Sequence, residues 1–248
     1  MITAHRGASG TAPENTILAL EKAIADGADM IEFDVQPTLD GEIVLFHDNT
    51  VNRTTNGQGL LSQLSWKYLK TLDAGSWFDE DYAGERIPRL DEALDACKNR
   101  TLFNIEIKTN TFSQQFIETV IAILTKKKCE NQTIITSFHK PSIQFIHSAF
   151  PYLKTGFISA LPWWKRRSTL LTSPCTHMSI YHNNITPQLV SAAHRHNKEI
   201  HTWTVNKPHR MKKMIHVGVD SIITNFPALL KSITENNRNN CTPNPDLS

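Results

Sequence analysis

Apolar and polar positions alternate along residues 30–35 in the manner of a β-strand. Glu32 and Asp34 occupy alternate positions between apolar residues, so a strand here carries both carboxylates on one face and apolar side chains on the other. A buried strand normally keeps ionised groups out of its core face. Two inward acids therefore indicate a cation, a substrate or solvent beside them, and a solvated face of an ordinary hairpin is the alternative from this segment alone.

A hairpin is predicted directly after this strand. Asp40 and Gly41 are typical of a two-residue turn, because both residue types tolerate the positive φ that such a turn requires. Centring the turn there places position 34 opposite position 47. The pattern thus predicts that His47 lies across from Asp34, on the face that carries both acids.

Strand and helix patterns alternate along most of the remaining chain. Strands are predicted at 2–5, 102–108, 133–138, 154–158, 175–181, 199–205 and 220–224, and helices between 13 and 27 and at 91–98, 112–127, 141–150, 187–196 and 208–217. With the return limb of the hairpin counted as part of the second strand, eight strands result. Alternation of this kind favours parallel strands with right-handed crossovers. The predicted fold is a (β/α)8 TIM barrel, and an open doubly wound sheet is the alternative.

Two segments depart from the alternation. Residues 49–86 are rich in turn residues and then in aromatic residues, which predicts a small insertion after the second strand with its own apolar cluster. From residue 235 the chain is polar and rich in Asn and Pro, which is typical of a disordered tail. The predicted organisation is one catalytic domain over residues 1–234, including the insertion, and a tail over 235–248.

Composition narrows the classes of partner. The 248 residues include 26 Lys and Arg against 24 Asp and Glu. The net charge is too small to favour nucleic acid as a partner. No apolar run is long enough for a membrane span, and the first residues lack the order of a secretion signal. The four cysteines are scattered, without the spacing of a metal finger. A cytoplasmic location is expected.

Polar residues collect at the predicted strand ends, where barrel enzymes carry their active sites. Seven of them converge on one rim in this fold: His5, Arg6, Glu32, Asp34, His47, Glu106 and Lys108. Three neighbouring carboxylates repel one another unless a cation neutralises them, and all-oxygen ligands select a hard ion such as Mg²⁺ or Ca²⁺. Two cationic side chains beside that ion suit a phosphate group, and two histidines suit general acid–base cleavage of a phosphoester.

Several motifs in this order resemble those of the glycerophosphodiester phosphodiesterases. They are HRGASGTAPENT at 5–16, IEFDV at 31–35, GEIVLFHD at 41–48, NRTTNGQG at 52–59, and further along the chain IPRLDEAL, NIEIK, ITSF, HTWTVN and GVDSIITN. The resemblance covers about residues 4 to 227 and is weakest between 150 and 195. It implies a (β/α)8 barrel and metal-dependent hydrolysis of glycerophosphodiesters, such as glycerophosphocholine, to sn-glycerol 3-phosphate and an alcohol.

The resemblance also implies roles for individual residues. His5 and His47 are expected to be the acid–base pair, and Glu32, Asp34 and Glu106 the ligands of one divalent cation, Mg²⁺ or Ca²⁺. The substrate-binding residues are expected to be Arg6, Lys108, Phe138 and Trp203, with the two cations on the phosphate and the aromatic residues beside the glycerol. Many relatives end the last strand with an acid where this chain has Asn225, and ITSF is often followed by Asn or Asp where this chain has His139, so altered substrate contacts are expected there.

Two alternatives to this activity remain open from the sequence. The same chemistry on lysolipids would make the chain a lysophospholipase D, for which the insertion and the loop with Trp163 and Trp164 would be the supporting features. Contact of this loop with a membrane is possible but not favoured, since reversible anchoring generally takes more than one signal. A catalytically silent barrel that only binds phosphodiesters is the other alternative, and retention of both histidines and all three acids argues against it.

Overall fold

Eight parallel strands close into a barrel in the computed structural model, which describes residues 1–161 and 173–239. The barrel strands are β1 (Ile2–His5), β2 (Met30–Pro37), β4 (Leu102–Ile107), β5 (Thr133–Ser137), β6 (Lys154–Ser159), β7 (His177–Tyr181), β8 (Glu199–Trp203) and β9 (Ser221–Thr224), and β3 (Ile43–Leu45) pairs antiparallel with β2. Pairing of β1 with both β9 and β2 closes the ring. The TIM barrel prediction is confirmed, and the open sheet is excluded.

Helices lie between the strands and cover the outside of the barrel. They are α1 (Ile17–Ala25), α2 (Trp66–Leu69), α3 (Leu90–Cys97), α4 (Gln114–Lys127), α5 (Lys140–Ala149), α6 (Pro187–Arg195), α7 (Pro208–Val217) and α8 (Pro227–Asn239). Side-chain caps set several starts: the hydroxyls of Thr16, Ser113 and Thr186 accept hydrogen bonds from backbone N–H groups of the first turns of α1, α4 and α6. Gly218, at φ 82°, ends α7 in the left-handed conformation that favours glycine.

Each barrel strand sends alternate residues outward and inward. The outward residues of β2, Ile31, Phe33 and Val35, are fully buried in the main hydrophobic core between the strands and the helices. The inward residues of the same strand include Glu32 and Asp34. Parallel pairing sets Asp34 beside Glu106 of β4, so the alternation seen in the sequence brings the acids of neighbouring strands together.

The β2–β3 hairpin has a different register from the predicted one. Val35 pairs with Leu45, which sets position 34 opposite Phe46 rather than opposite His47. The cause is a three-residue loop. The Thr38 N–H donates to the Glu42 backbone oxygen at 2.9 Å, and Gly41 takes the left-handed position with φ 84°. His47 follows the end of β3, so it reaches the acidic face through the loop and not through strand pairing.

The segment between β3 and α3 has a hydrophobic cluster separate from the barrel core. Its buried members are Val44, Phe46, Val51, Leu61, Leu69, Leu72, Ala74 and Ile87. The predicted aromatic residues contribute little to it, since Tyr68 and Trp77 are exposed and Trp66 packs only at its edge. Aliphatic side chains and Phe46 form the cluster, because they fill a small core and carry no polar group that needs a hydrogen bond.

Most element ends lie within two residues of the predictions, and the C-terminal region differs more. Helix α8 was not predicted, and it extends through residues 235–239, the first part of the segment predicted as a disordered tail. Residues 240–248 and the predicted loop with Trp163 and Trp164 lie outside the described residues. The division into one domain and a tail stays a prediction.

Candidate active site

A cavity of about 300 Å³ opens at the carboxyl ends of the barrel strands. It is lined by eight of the nine predicted site residues, namely His5, Arg6, Glu32, His47, Glu106, Lys108, Phe138 and Trp203. The ninth, Asp34, is buried directly behind them and contacts both Arg6 and Lys108. Residues from β1, β2, β4, β5 and β8 thus meet at one rim, because parallel strands all end on the same side of a barrel.

Three buried carboxylates form the floor of this cavity. Glu32, Asp34 and Glu106 each present one oxygen within 4.8 Å of the others. Burial, followed by the charges of Asp34 and Glu106, raises the pKa of Glu32 well above its ordinary value. Burial and Asp34 also raise the pKa of Glu106 to about 7, against the opposing charge of Lys108. Three acids in such a site favour either a proton or a cation among them.

The donor set fits a hard divalent ion. The oxygens belong to carboxylates, the ligands that Mg²⁺ and Ca²⁺ prefer. Glu106 Oε1 is buried, and among the described residues no donor makes a well-aligned hydrogen bond to it, although Lys108 Nζ is 3.0 Å away. A buried carboxylate oxygen with an incomplete set of partners is what a cation site requires.

Two basic side chains lie at the edge of the acidic floor. Arg6 Nε is 3.2 Å from Asp34 Oδ2, and Lys108 Nζ is 3.0 Å from Glu106 Oε1 and 3.7 Å from Asp34 Oδ1. Both side chains also line the cavity, so each can turn part of its charge toward an anion there. The site combines fixed negative charge at its floor with positive charge at its wall.

Strained backbone at the end of β1 positions Arg6. Arg6 has φ 56° and Gly7 has φ 81°, the left-handed region that a non-glycine residue seldom adopts. The Arg6 N–H donates to the backbone oxygen of Glu32 at 2.7 Å and contacts Glu32 Oε2 at 3.1 Å. At Gly7 a Cβ would lie 2.5 Å from the Ala19 backbone oxygen, so only glycine fits this turn. The tight turn thereby directs the Arg6 side chain into the cavity.

His5 is held by a neutral amide. Its Nδ1 lies 2.8 Å from Asn225 Oδ1, and since an amide oxygen only accepts, this contact assigns the proton to Nδ1 and leaves the Nε2 lone pair free. Burial and the charge of Arg6 lower the pKa of His5 to about 4, so the ring is neutral at neutral pH. This arrangement suits a proton acceptor.

His47 is held by a carboxylate instead. Its Nδ1 donates to Asp48 Oδ1 at 2.6 Å, and Arg53 binds the same carboxylate through Nε at 2.6 Å. Arg53 also forms two hydrogen bonds to Glu14, of 2.7 and 2.9 Å, and Glu14 accepts one from Arg6 at 2.9 Å. The network therefore connects the His47 loop to the end of β1.

Two amide side chains support the acidic strand and the His47 loop. The Nε2 group of Gln36 lies 2.9 to 3.0 Å from the backbone oxygens of Phe46, His47 and Asp48. Asn15, at φ 58°, donates to Asp34 Oδ2 at 3.2 Å. Gln36 lies on the same face of β2 as the acids, so a polar side chain at the next alternate position serves to anchor the loop rather than to line the cavity.

Aromatic side chains form the opposite wall. The ring centroids of Phe138 and Trp203 are 5.7 Å apart in an edge-to-face arrangement, and Tyr181 lies 5.5 Å from Trp203. The Trp203 Nε1–H is buried and has no hydrogen-bond acceptor among residues 1–161 and 173–239. A buried donor without a partner at a cavity wall is available to a ligand oxygen.

Known proteins share this fold and these motifs. Residues 5–229 match the model of the glycerophosphoryl diester phosphodiesterase family. The chain belongs to this family. A glycerophosphodiester phosphodiesterase of Caldanaerobacter subterraneus is 38% identical over 232 residues, which are 93% of this chain and 96% of that protein. One from Bacillus altitudinis is 35% identical over 239 residues, which are 94% and 98% of the two chains.

A solved structure shares the fold over nearly the whole chain. A phosphodiesterase of Oleispira antarctica, in complex with the product sn-glycerol-3-phosphate, superposes with a TM-score of 0.88 at 28% identity and covers 95% of this chain and 96% of its own. The predictions of the family and of a glycerophosphodiester phosphodiesterase are thereby confirmed, and the catalytically silent alternative is set aside. In the described part of the chain, no helix is long and apolar enough to cross a membrane.

Sequence reasoning assigned no role to four residues that support the site, namely Glu14, Gln36, Asp48 and Arg53. It expected altered substrate contacts at Asn225 and did not predict that this residue contacts His5. His47 and Asp48 are adjacent in the sequence. The contacts of Arg53 with Asp48 and of Asn225 with His5 form only when the chain folds. Asn225 contacts His5, and His139 forms a hydrogen bond with Ser142 at the start of α5. Neither of these two residues lines the cavity.

Proposed function

We propose that this member of the family hydrolyses small glycerophosphodiesters to sn-glycerol 3-phosphate and an alcohol, with the aid of one divalent cation. The observation that carries the proposal is one cavity in which three buried acids, two basic side chains and two oriented histidines meet. The product bound by the Oleispira antarctica relative supports the choice of substrate.

The carboxylates of Glu32, Asp34 and Glu106 would hold the cation, Mg²⁺ or Ca²⁺. When bound, this ion supplies positive charge that offsets the acids and that a phosphate oxygen can share. Arg6 and Lys108 bind the phosphate from the other side. Their guanidinium and ammonium groups stabilise the negative charge that builds on the phosphate oxygens in the transition state.

His5 acts as the base. Its Nδ1–H bond to Asn225 leaves Nε2 free, and its low pKa keeps the ring neutral. Nε2 takes the proton of the attacking oxygen as that oxygen bonds to phosphorus. The attacking oxygen is either water or the neighbouring glycerol hydroxyl, which would form a cyclic phosphate, and the arrangement is compatible with both.

His47 acts as the acid. As the bond from phosphorus to the alcohol oxygen breaks, the protonated ring donates its Nε2 proton to that oxygen. Asp48 accepts from Nδ1, fixes the ring plane and stabilises the cationic form of the ring before transfer. The net reaction consumes one water. After direct attack by water, His5 holds one proton more and His47 one fewer, and proton exchange with solvent resets both rings. On the cyclic route, hydrolysis of the cyclic phosphate with the two roles reversed resets them.

The aromatic wall orients the glycerol part of the substrate. Phe138 and Trp203 pack against its carbon atoms, and the unpaired Trp203 N–H donates to one of its hydroxyls. Loss of that hydrogen bond removes binding energy without changing the reacting groups. We therefore expect Trp203→Phe to raise KM more than it lowers kcat.

The first test is release of sn-glycerol 3-phosphate from glycerophosphocholine and glycerophosphoethanolamine. We expect EDTA to stop turnover and either Mg²⁺ or Ca²⁺ to restore it. Asp34→Asn is a second test of the metal site, since it removes one carboxylate charge while keeping the side-chain shape. Turnover that persists in EDTA, or in Asp34→Asn at low metal concentration, would contradict the metal site.

Lysolipids are the alternative substrates in the same assay. The lysophospholipase D alternative gains no support from the described residues, because the Trp163 and Trp164 loop lies outside them. Turnover of micellar lysophosphatidylcholine without turnover of glycerophosphocholine would show that lysolipids, and not small glycerophosphodiesters, are the substrates. A cytoplasmic location and the lack of a nucleic-acid partner stay predictions.

A further inference from the structure

The opposite mouth of the barrel holds a second cluster of metal-binding side chains. In the described residues, two groups of three such side chains come within 4.8 Å of one another, and one is the carboxylate floor of the candidate active site. The other consists of His177, Glu199 and His201. None of these three residues lines the active-site cavity.

The barrel register brings this cluster together. His177 begins β7 and pairs with Glu199, which begins β8, and His201 lies two residues further along β8 on the same inward face. Both histidines are buried, at 3% and 1% exposure, whereas the Glu199 side chain is 46% exposed. The carboxylate thus faces a cavity of about 140 Å³ at the amino ends of the strands, through which an ion can enter.

Two of the three ligand separations match the edges of a tetrahedral metal site, and the two histidine nitrogens lie within 4.8 Å of each other. Glu199 Oε2 is 3.2 Å from His177 Nε2 and 3.3 Å from His201 Nε2. Ligands at the usual zinc distances of about 2.0–2.2 Å lie about 3.3 Å apart along the edges of a tetrahedron. These separations are at the long end of the range for an N–H···O hydrogen bond.

The hydrogen bonds around His177 are compatible with the tautomer that directs a lone pair toward Glu199. The Thr176 hydroxyl donates to the Thr155 backbone oxygen at 3.3 Å and lies 2.6 Å from His177 Nδ1. A hydroxyl has one proton, so with that proton on the carbonyl it accepts from the Nδ1–H of His177. This assignment leaves Nε2 unprotonated beside a carboxylate oxygen, the arrangement in which a metal-binding histidine is usually held.

From this geometry we propose that His177, Glu199 and His201 bind a divalent transition-metal ion, zinc foremost, which ties β7 to β8 at the amino end of the barrel. Two imidazoles and one carboxylate are a known zinc donor set with an open fourth position, and the small cavity leaves room for a water there. The hard ion proposed for the active site has oxygen ligands only, so the two sites differ in the metal they prefer.

One carboxylate and one ammonium group lie near the cluster. Glu199 supplies the negative charge that a bound cation needs. The ammonium of Lys154 lines the same cavity and opposes a cation, but it makes no ion pair with Glu199 within 4.0 Å.

The test counts zinc in the metal-stripped full chain by calorimetric titration and elemental analysis. Asp34→Asn serves as the background, because it weakens the active-site trio and isolates the second cluster. We expect this chain to bind one Zn²⁺, and we expect the double variant Asp34→Asn/Glu199→Gln to bind it at least about tenfold more weakly. No zinc bound in the background, or equal affinity in the double variant, would overturn the proposal.

Two further measurements guard against a folding artefact. Glu199→Gln alone should retain the wild-type melting temperature in EDTA and the wild-type turnover with Mg²⁺. In the Asp34→Asn background, Glu199→Gln should abolish the thermal stabilisation by Zn²⁺, and His201→Gln in the same background removes a second ligand independently. Cobalt binding to the Asp34→Asn chain can be followed by visible absorption, with His177, Glu199 and His201 all left unmutated. A tetrahedral site with two imidazoles produces visible absorption bands, and their absence would refute the site.

Discussion

Replacement of Asn225 by Asp tests the assignment of His5 as the base. The two side chains have nearly the same shape, and Asn225 Oδ1 already lies 2.8 Å from His5 Nδ1. The variant therefore keeps the ring in place and adds one negative charge beside it. An opposite charge at this distance typically raises a pKa by about 1–3 units.

The expected effect is on the acidic limb of the pH profile. Burial and Arg6 place the pKa of His5 at about 4 in the native chain. With a variant pKa of about 6, the neutral ring would make up roughly a tenth of the enzyme at pH 5, whereas most of the native enzyme would be active there. A base works in its neutral form, so activity is lost on acidification, and the raised pKa moves that loss to higher pH.

The assay is kcat/KM for glycerophosphocholine from pH 4 to 9 at saturating metal, because a bound cation also lowers the pKa of His5 and must be equal in both chains. Asn206→Asp is the matched control: Asn206 accepts from the Asn225 N–H at 2.9 Å, so it adds the same charge without touching His5. If NMR showed a raised His5 pKa in Asn225→Asp while the acidic limb stayed in place, His5 would not be the base.

Three other outcomes are expected. His47→Ala should lower kcat by about 10²–10⁴ without weakening metal binding, whereas Glu106→Gln should raise the metal Kd first, as calorimetry would show. Arg53→Ala should lower kcat by roughly 10–100-fold, since the ring of His47 loses its support through Asp48, yet hardly change the melting temperature, because exposed ion pairs contribute about 0–1 kcal/mol. In EDTA, denaturant unfolding should show the native chain losing about 3 kcal/mol more stability than His177→Gln as the pH drops from 6.5 to 4, because the His177 imidazole binds its proton in the unfolded chain first.

The sequence predicted the fold because local patterns and long-range pairing agree in this chain. Glu32 and Asp34 are two residues apart and so share the inward face of β2, and strand pairing sets Glu106 of β4 beside Asp34. Gly27 and Gly218, which follow α1 and α7, take the left-handed conformation that stops a helix. Helix α8 was missed because its few buried residues, such as Leu230 and Ile233, stand among polar ones.

The sequence by itself determined which residue types meet at the rim, since strand order and side-chain period place Glu32, Asp34, Glu106 and Lys108 there in any parallel barrel. Only the tertiary structure decided how each is held. The hairpin register depends on one extra loop residue, and the partner of His5 is 220 positions away along the chain. His177 and Glu199 likewise meet only through strand pairing. The contact of 3.2 Å between their side chains depends on the register of two strands, which a local sequence pattern does not specify.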